Sequence, residues 1–123
     1  MLAISVIMFA IAAALGLVLI TAILKNKKPT RGAVIGHGLF AATGLTLVII
    51  YTINNPDNSP DISLVLLIVA ALGGFILLAR DLSGKPGLKG LAVIHASAAV
   101  FAFACFYFRY FRNGLINDNT EKV

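Results

Sequence analysis

Residues 31–53 read RGAVIGHGLFAATGLTLVIIYTI, and residues 89–108 read KGLAVIHASAAVFAFACFYF. Each stretch opens on a basic residue followed by glycine, and each carries a histidine six positions after that base, His37 and His95. Beyond Arg31 and Lys89 neither stretch contains an Asp, Glu, Lys or Arg. An apolar run of about 20 residues matches the thickness of a bilayer's hydrocarbon core. The two histidines are the only ones in the chain. Ionisable residues at matching depths in two such runs mark a candidate site shared between helices.

Working outward, two more runs of the same kind precede these, at 2–24 and 62–80, giving four expected spans at 2–24, 33–53, 62–80 and 90–109. The chain is 59% hydrophobic and 12% charged over 123 residues, with a mean hydropathy of +0.96. This composition lies well outside that of soluble domains. The spans use most of the chain, so residues 1–123 form a single integral membrane domain. The first span has no basic residue before it and runs past Ala12, Ala13 and Ala14 to Leu24. It is therefore expected to be a retained helix rather than a cleaved signal peptide.

The net charge of +5 is organised by topology and does not indicate nucleic-acid binding. The turn at 25–31 holds Lys25, Lys27, Lys28 and Arg31 without an acid, and the turn at 80–89 holds Arg80, Lys85 and Lys89 against Asp81. The middle turn carries Asp57 and Asp61 and no base. The positive-inside rule places the two basic turns in the cytoplasm and both termini outside, the expected location being the bacterial inner membrane. Arg109 and Arg112 are then expected to snorkel to the outer interface beside Tyr107 and Tyr110. The polar tail at 113–123 is expected to fray.

Offsetting the chain by 57 residues superposes A-L-G at 14–16 on A-L-G at 71–73, and Lys28-Pro29 on Lys85-Pro86. One inserted residue in the second turn then superposes Arg31 on Lys89 and His37 on His95. The expected fold is all-α: a transmembrane up-down four-helix bundle built from two parallel helical-hairpin repeats, with halves 1–58 and 59–115. Two spans per unit keep both units in one orientation. If the order around the bundle is sequential, the second and fourth helices are diagonal and their histidines meet across the axis.

The faces around the histidines are lined mostly by small residues: Ala33, Val34, Ala41 and Gly44 near His37, and Leu91, Ala92, Ala98, Ala99 and Ala102 near His95. Small residues are also the ordinary means of packing membrane helices. Four-coordinate zinc is poorly served by two histidines, a boundary Asp81 and a distant Cys105. A haem iron needs two axial ligands from the protein. There is no C-x-x-C-H motif for covalent attachment, so the expected cofactor is non-covalent haem b with His37 and His95 as metal ligands. Arg31 and Lys89 lie about 9 Å along the helix from their histidines at about 1.5 Å per residue. With Lys28 and Lys85 they are candidate partners for haem propionates, although the positive-inside signal alone also accounts for them.

With its paired histidines and four apolar spans, and with Lys28-Pro29, His37-Gly38 and Gly44-Leu45, the chain resembles four-helix membrane b-type cytochromes of the cytochrome b561-like kind. It also resembles small uncharacterised bacterial four-span proteins. The resemblance implies haem held by helix histidines and electron transfer within the membrane. Such cytochromes commonly use several histidines for two haems, whereas this chain supplies one pair. The expected partners are the lipid bilayer, a redox partner or quinone, and a further copy of the chain. The competing expectations are a cofactor-free membrane partner subunit or scaffold, and a small-solute transporter formed by oligomerisation.

Overall fold

A computed structural model describes residues 1–58 and 60–120, with side chains placed for 1–57 and 60–114. Four helices follow in order: α1 Leu2–Leu24, α2 Arg31–Asn54, α3 Asp61–Leu82 and α4 Lys89–Thr120. A single 3₁₀ turn at Pro56–Asn58 lies between α2 and α3. All four helices are long and apolar enough to cross a membrane. The helical state follows from composition: in apolar surroundings, backbone polar groups must be paired within their own segment.

The expected spans fall inside the observed helices. The largest difference is at the C-terminus, where α4 continues through Thr120 instead of fraying after residue 113. No proline interrupts 89–120, and a helix already nucleated adds each further residue at little cost. Residues 121–123 of the expected tail, and residue 59 at the start of the expected second half, lie outside the described residues.

The turns after α1 and α3 share one backbone solution. Asn26 and Gly84 both take positive φ, 55° and 68°. The N–H of Lys27 bonds the carbonyl of Ala22, and that of Lys85 bonds the carbonyl of Arg80. Together these form a Schellman-type ending, in which a left-handed residue lets the chain reverse while the last carbonyls stay paired. Short turns then force each helix to run antiparallel to the next.

Packing is closest within the pairs α1/α2 and α3/α4, and lighter between α1 and α4 and between α2 and α3. Among the described residues, α1 and α3 make no close backbone approach, and neither do α2 and α4. The order around the bundle is therefore sequential, with α2 diagonal to α4. The core consists of Phe9, Val48, Leu67, Ala102 and Phe106. Phe9 meets Phe103 and Phe106 edge-on at 6.2 Å and 5.9 Å. Outward-facing side chains such as Leu17, Leu39, Leu72 and Phe75 are all more than half exposed, an apolar exterior suited to lipid.

Buried positions recur at a spacing of 58. Ser5 and Ser63 are buried, as are Phe9 and Leu67, Ala12 and Ala70, Gly44 and Ala102, and Val48 and Phe106. Asn26 and Gly84 are also 58 apart. The correspondence needs no insertion, unlike the 57-residue offset suggested by the A-L-G triplets. Gly16 therefore answers to Gly74, not to Gly73.

Candidate functional site: a histidine pair across the bundle axis

His37 lies two turns into α2 and His95 lies two turns into α4, each turned toward the preceding helix of its own hairpin. The Nδ1 of His37 is 2.8 Å from the carbonyl oxygen of Ala12 on α1. The Nδ1 of His95 is 2.7 Å from the carbonyl oxygen of Ala70 on α3. A carbonyl can only accept, so each ring donates from Nδ1–H. A neutral imidazole then keeps its lone pair on Nε2. Neither Nε2 has a hydrogen-bond partner among the described residues.

The two rings meet across the diagonal with centroids 6.0 Å apart and planes at 81°. Two imidazoles on opposite sides of one ion, each bonded at about 2 Å with the ring centre roughly 1 Å further on, would have centroids about 6 Å apart. The backbone bond at the far nitrogen is the usual outer support of a metal-bound histidine, fixing tautomer and ring orientation. The donor chemistry, two neutral imidazoles each with a spare Nε2, suits a metal ion, while the rings themselves stand edge to face against one another. No group of three or more metal-ligating side chains gathers among the described residues. Among the described residues, His37 and His95 would be the only side-chain ligands of an ion held here.

Glycine makes the approach of each ring close. A Cβ on Gly16 would stand 3.1 Å from Cε1 of His37 and 3.3 Å from its Nδ1. A Cβ on Gly74 would stand 3.1 Å from Cε1 of His95, with Nδ1 and Nε2 at 3.7 Å. Between the histidines and the basic turns, Ala92 is the one buried residue among those described. The bulky core lies entirely on the other side of Ala12 and Ala70, so the half-bundle on the basic side is the less tightly filled.

The structure brings together His37 and His95 but not the four candidate bases. Arg31, Lys89, Lys28 and Lys85 are exposed at the basic end, and their side chains make no hydrogen bond or ion pair among the described residues. Arg80, which sequence reading left aside, is instead half-buried and donates from Nε and Nη2 to the carbonyl of Pro86 at 3.2 Å and 3.1 Å. Sequence reading also missed the carbonyls of Ala12 and Ala70, since a backbone acceptor has no letter of its own. The signal available was Ala-x-x-x-Gly, present 25 residues before each histidine as Ala12-Gly16 and Ala70-Gly74.

At the opposite end, Arg109 lines a cleft with Leu2, Pro60, Phe106, Tyr110 and Asn113. Its Nε is buried with no hydrogen-bond partner among the described residues, so this arginine turns inward between helices, whereas Arg112 is exposed. Cys105 is a free, half-buried thiol.

Comparison with protein-family models, with curated proteins and with solved structures finds no match to this chain.

Proposed function

We propose that this chain is an integral membrane haem protein in which two copies of one helical hairpin hold a single non-covalent haem b between His37 and His95. The observation that carries the reading is the mirrored anchoring. Both rings donate Nδ1–H to a carbonyl of the preceding helix, and both leave Nε2 unpartnered. A pair of histidines placed only for packing has no need to be in the same tautomer with the same nitrogen spare. The correspondence at 58 residues supports duplication, because contacts and turn geometry repeat where the letters differ.

Four apolar helices and the charge asymmetry of the turns support a crossing of the bacterial inner membrane with the basic turns in the cytoplasm and the termini outside. The histidines then lie in the cytoplasmic half of the bilayer, one to two turns below the basic surface. Arg31, Lys89, Lys28 and Lys85 would hold carboxylates at that surface by charge-assisted hydrogen bonds. Bound haem supplies a one-electron couple. The chain's own part is to present two imidazoles, exclude water with apolar helices and anchor the acidic edge. With both Nε2 donors engaged, the site would supply electron transfer to a redox partner or quinone in preference to oxygen chemistry.

The test is an absorption spectrum of detergent-purified protein, oxidised and then reduced with dithionite. A sharp Soret band with resolved reduced α and β bands is expected, and it is expected to disappear in His37→Ala and in His95→Ala. Absence of a Soret band after haem is added back would overturn the reading, as would full haem content in both variants. One observation favours the alternative of a cofactor-free partner subunit: the rings already make an edge-to-face contact in the described structure, which packs the pair without any ligand.

A further inference from the structure

The two hairpins share a feature that lies outside the histidines themselves. In each, the carbonyl that receives the imidazole belongs to an alanine, and the residue four positions later is glycine: Ala12 with Gly16, and Ala70 with Gly74. In an α-helix the Cα–Cβ bond tilts toward the N-terminus, so a side chain covers the turn that precedes it. The side chain at position i+4 therefore shields the carbonyl at position i. Glycine at i+4 leaves that oxygen open on its flank, free to take a second donor besides its helical N–H.

We infer that Gly16 and Gly74 are positioning residues, which bare the carbonyls of Ala12 and Ala70 so that each captures an imidazole Nδ1–H and holds Nε2 free for a ligand. The inference deepens the haem reading, but its physical content concerns the histidine tautomers. A methyl group at Gly16 would press on two atoms of the His37 ring, at 3.1 Å and 3.3 Å. A methyl group at Gly74 would press on one atom of the His95 ring at 3.1 Å, with the next at 3.7 Å. Two other glycines serve as controls. A Cβ on Gly73 meets His95 at 3.5 Å or more, which is ordinary contact, and a Cβ on Gly36 meets the flexible end of Leu15 at 3.1 Å. The expected order of effect is Gly16→Ala, then Gly74→Ala, with Gly73→Ala and Gly36→Ala near neutral.

Two readouts separate this inference from the haem reading. The first needs no haem: ¹⁵N-histidine labelled protein in detergent micelles, with ring-nitrogen signals reporting the tautomer. Wild type is expected to show Nδ1–H at both histidines, and Gly16→Ala is expected to release His37 alone into a mixed or Nε2–H state. The second readout is haem retention, expected to weaken about tenfold to a hundredfold in Gly16→Ala, as is typical for loss of the outer support of a metal ligand. Wild-type protein that binds no haem but shows the tautomer shift would keep the positioning role and remove the haem reading. Gly16→Ala and Gly74→Ala that leave both tautomers in place would overturn the positioning role whether or not haem is bound. An equal response in Gly36→Ala would also overturn it, by showing that crowding anywhere in the hairpin has the same effect.

Discussion

The Phe9–Gly44 contact offers a quantitative test of how the two hairpins are packed. A Cβ on Gly44 would lie 2.9 Å, 3.0 Å and 3.1 Å from three atoms of the Phe9 ring, where carbon atoms prefer about 3.5–4.0 Å. The ring has little room to retreat, being only 7% exposed and held edge-on by Phe103 and Phe106. Overpacking of this kind costs about 1–3 kcal/mol, and replacing a helical glycine by alanine returns about 1 kcal/mol. Gly44→Ala is thus expected to destabilise by about 1 kcal/mol net. Phe9→Leu gives up two aromatic contacts and is expected to cost about 1–3 kcal/mol. Combined, the two changes reproduce the residue types that the other hairpin has at the matching places, Leu67 and Ala102, both buried. The smaller side chain makes room for the new methyl, so the double variant should be more stable than the sum of the singles by about 1–2 kcal/mol. The assay is a double-mutant cycle by SDS titration in mixed micelles, with unfolding followed by circular dichroism. Additivity within about 0.5 kcal/mol would refute the claim that these positions compensate one another.

Further outcomes follow from the turns and the topology. Gly84→Ala forces a Cβ into the left-handed region and is expected to cost about 1–2 kcal/mol, whereas Asn26→Gly is expected to be neutral or slightly stabilising; thermal melts in detergent compare the two. Arg80→Ala removes two exposed hydrogen bonds to Pro86 and is expected to cost no more than about 1 kcal/mol in thermal melts, without change in the histidine ring-nitrogen signals. In a Cys105→Ser background, a cysteine at Asn55 should react with a membrane-impermeant maleimide on intact cells, and a cysteine at Asn26 only after permeabilisation. The opposite pattern would invert the orientation assigned from the turn charges.

The helices were legible because the apolar runs are long and bounded by charge and proline, and residues such as Arg31 and Lys89 mark their starts directly. The histidine pair was legible for a similar reason: two rare letters fall at one spacing from two basic residues. The register of the two halves was harder to see. A-L-G at 14–16 and 71–73 is a match of letters, while the structural match pairs Gly16 with Gly74. A large residue against a small one fills the space of two middle-sized ones, so Phe9 with Gly44 answers to Leu67 with Ala102 and shares no letter with it. Asn and Gly both tolerate the left-handed region, so Asn26 answers to Gly84. The acceptors of the site are backbone atoms, and their availability depends on a missing side chain one turn away. Sequence comparison by letter passes over all three.

The same correspondence shows where the two hairpins differ, and the differences bear on the site. At the position matching Gly73 the first hairpin has Leu15, whose side chain lies against Gly36 on α2. His95 therefore rests on two successive glycines and His37 on one, and His37 has the tighter fit by the distances to its ring. Arg80, which ties the second turn through the carbonyl of Pro86, answers to Ala22 in the first. Two equivalent hairpins would present two interchangeable imidazoles. Here the first hairpin holds its imidazole firmly beneath an untied turn, and the second holds its imidazole with more space beneath a tied one. The two imidazoles therefore sit in different surroundings, and a perturbation of the pair is expected to displace His95 before His37.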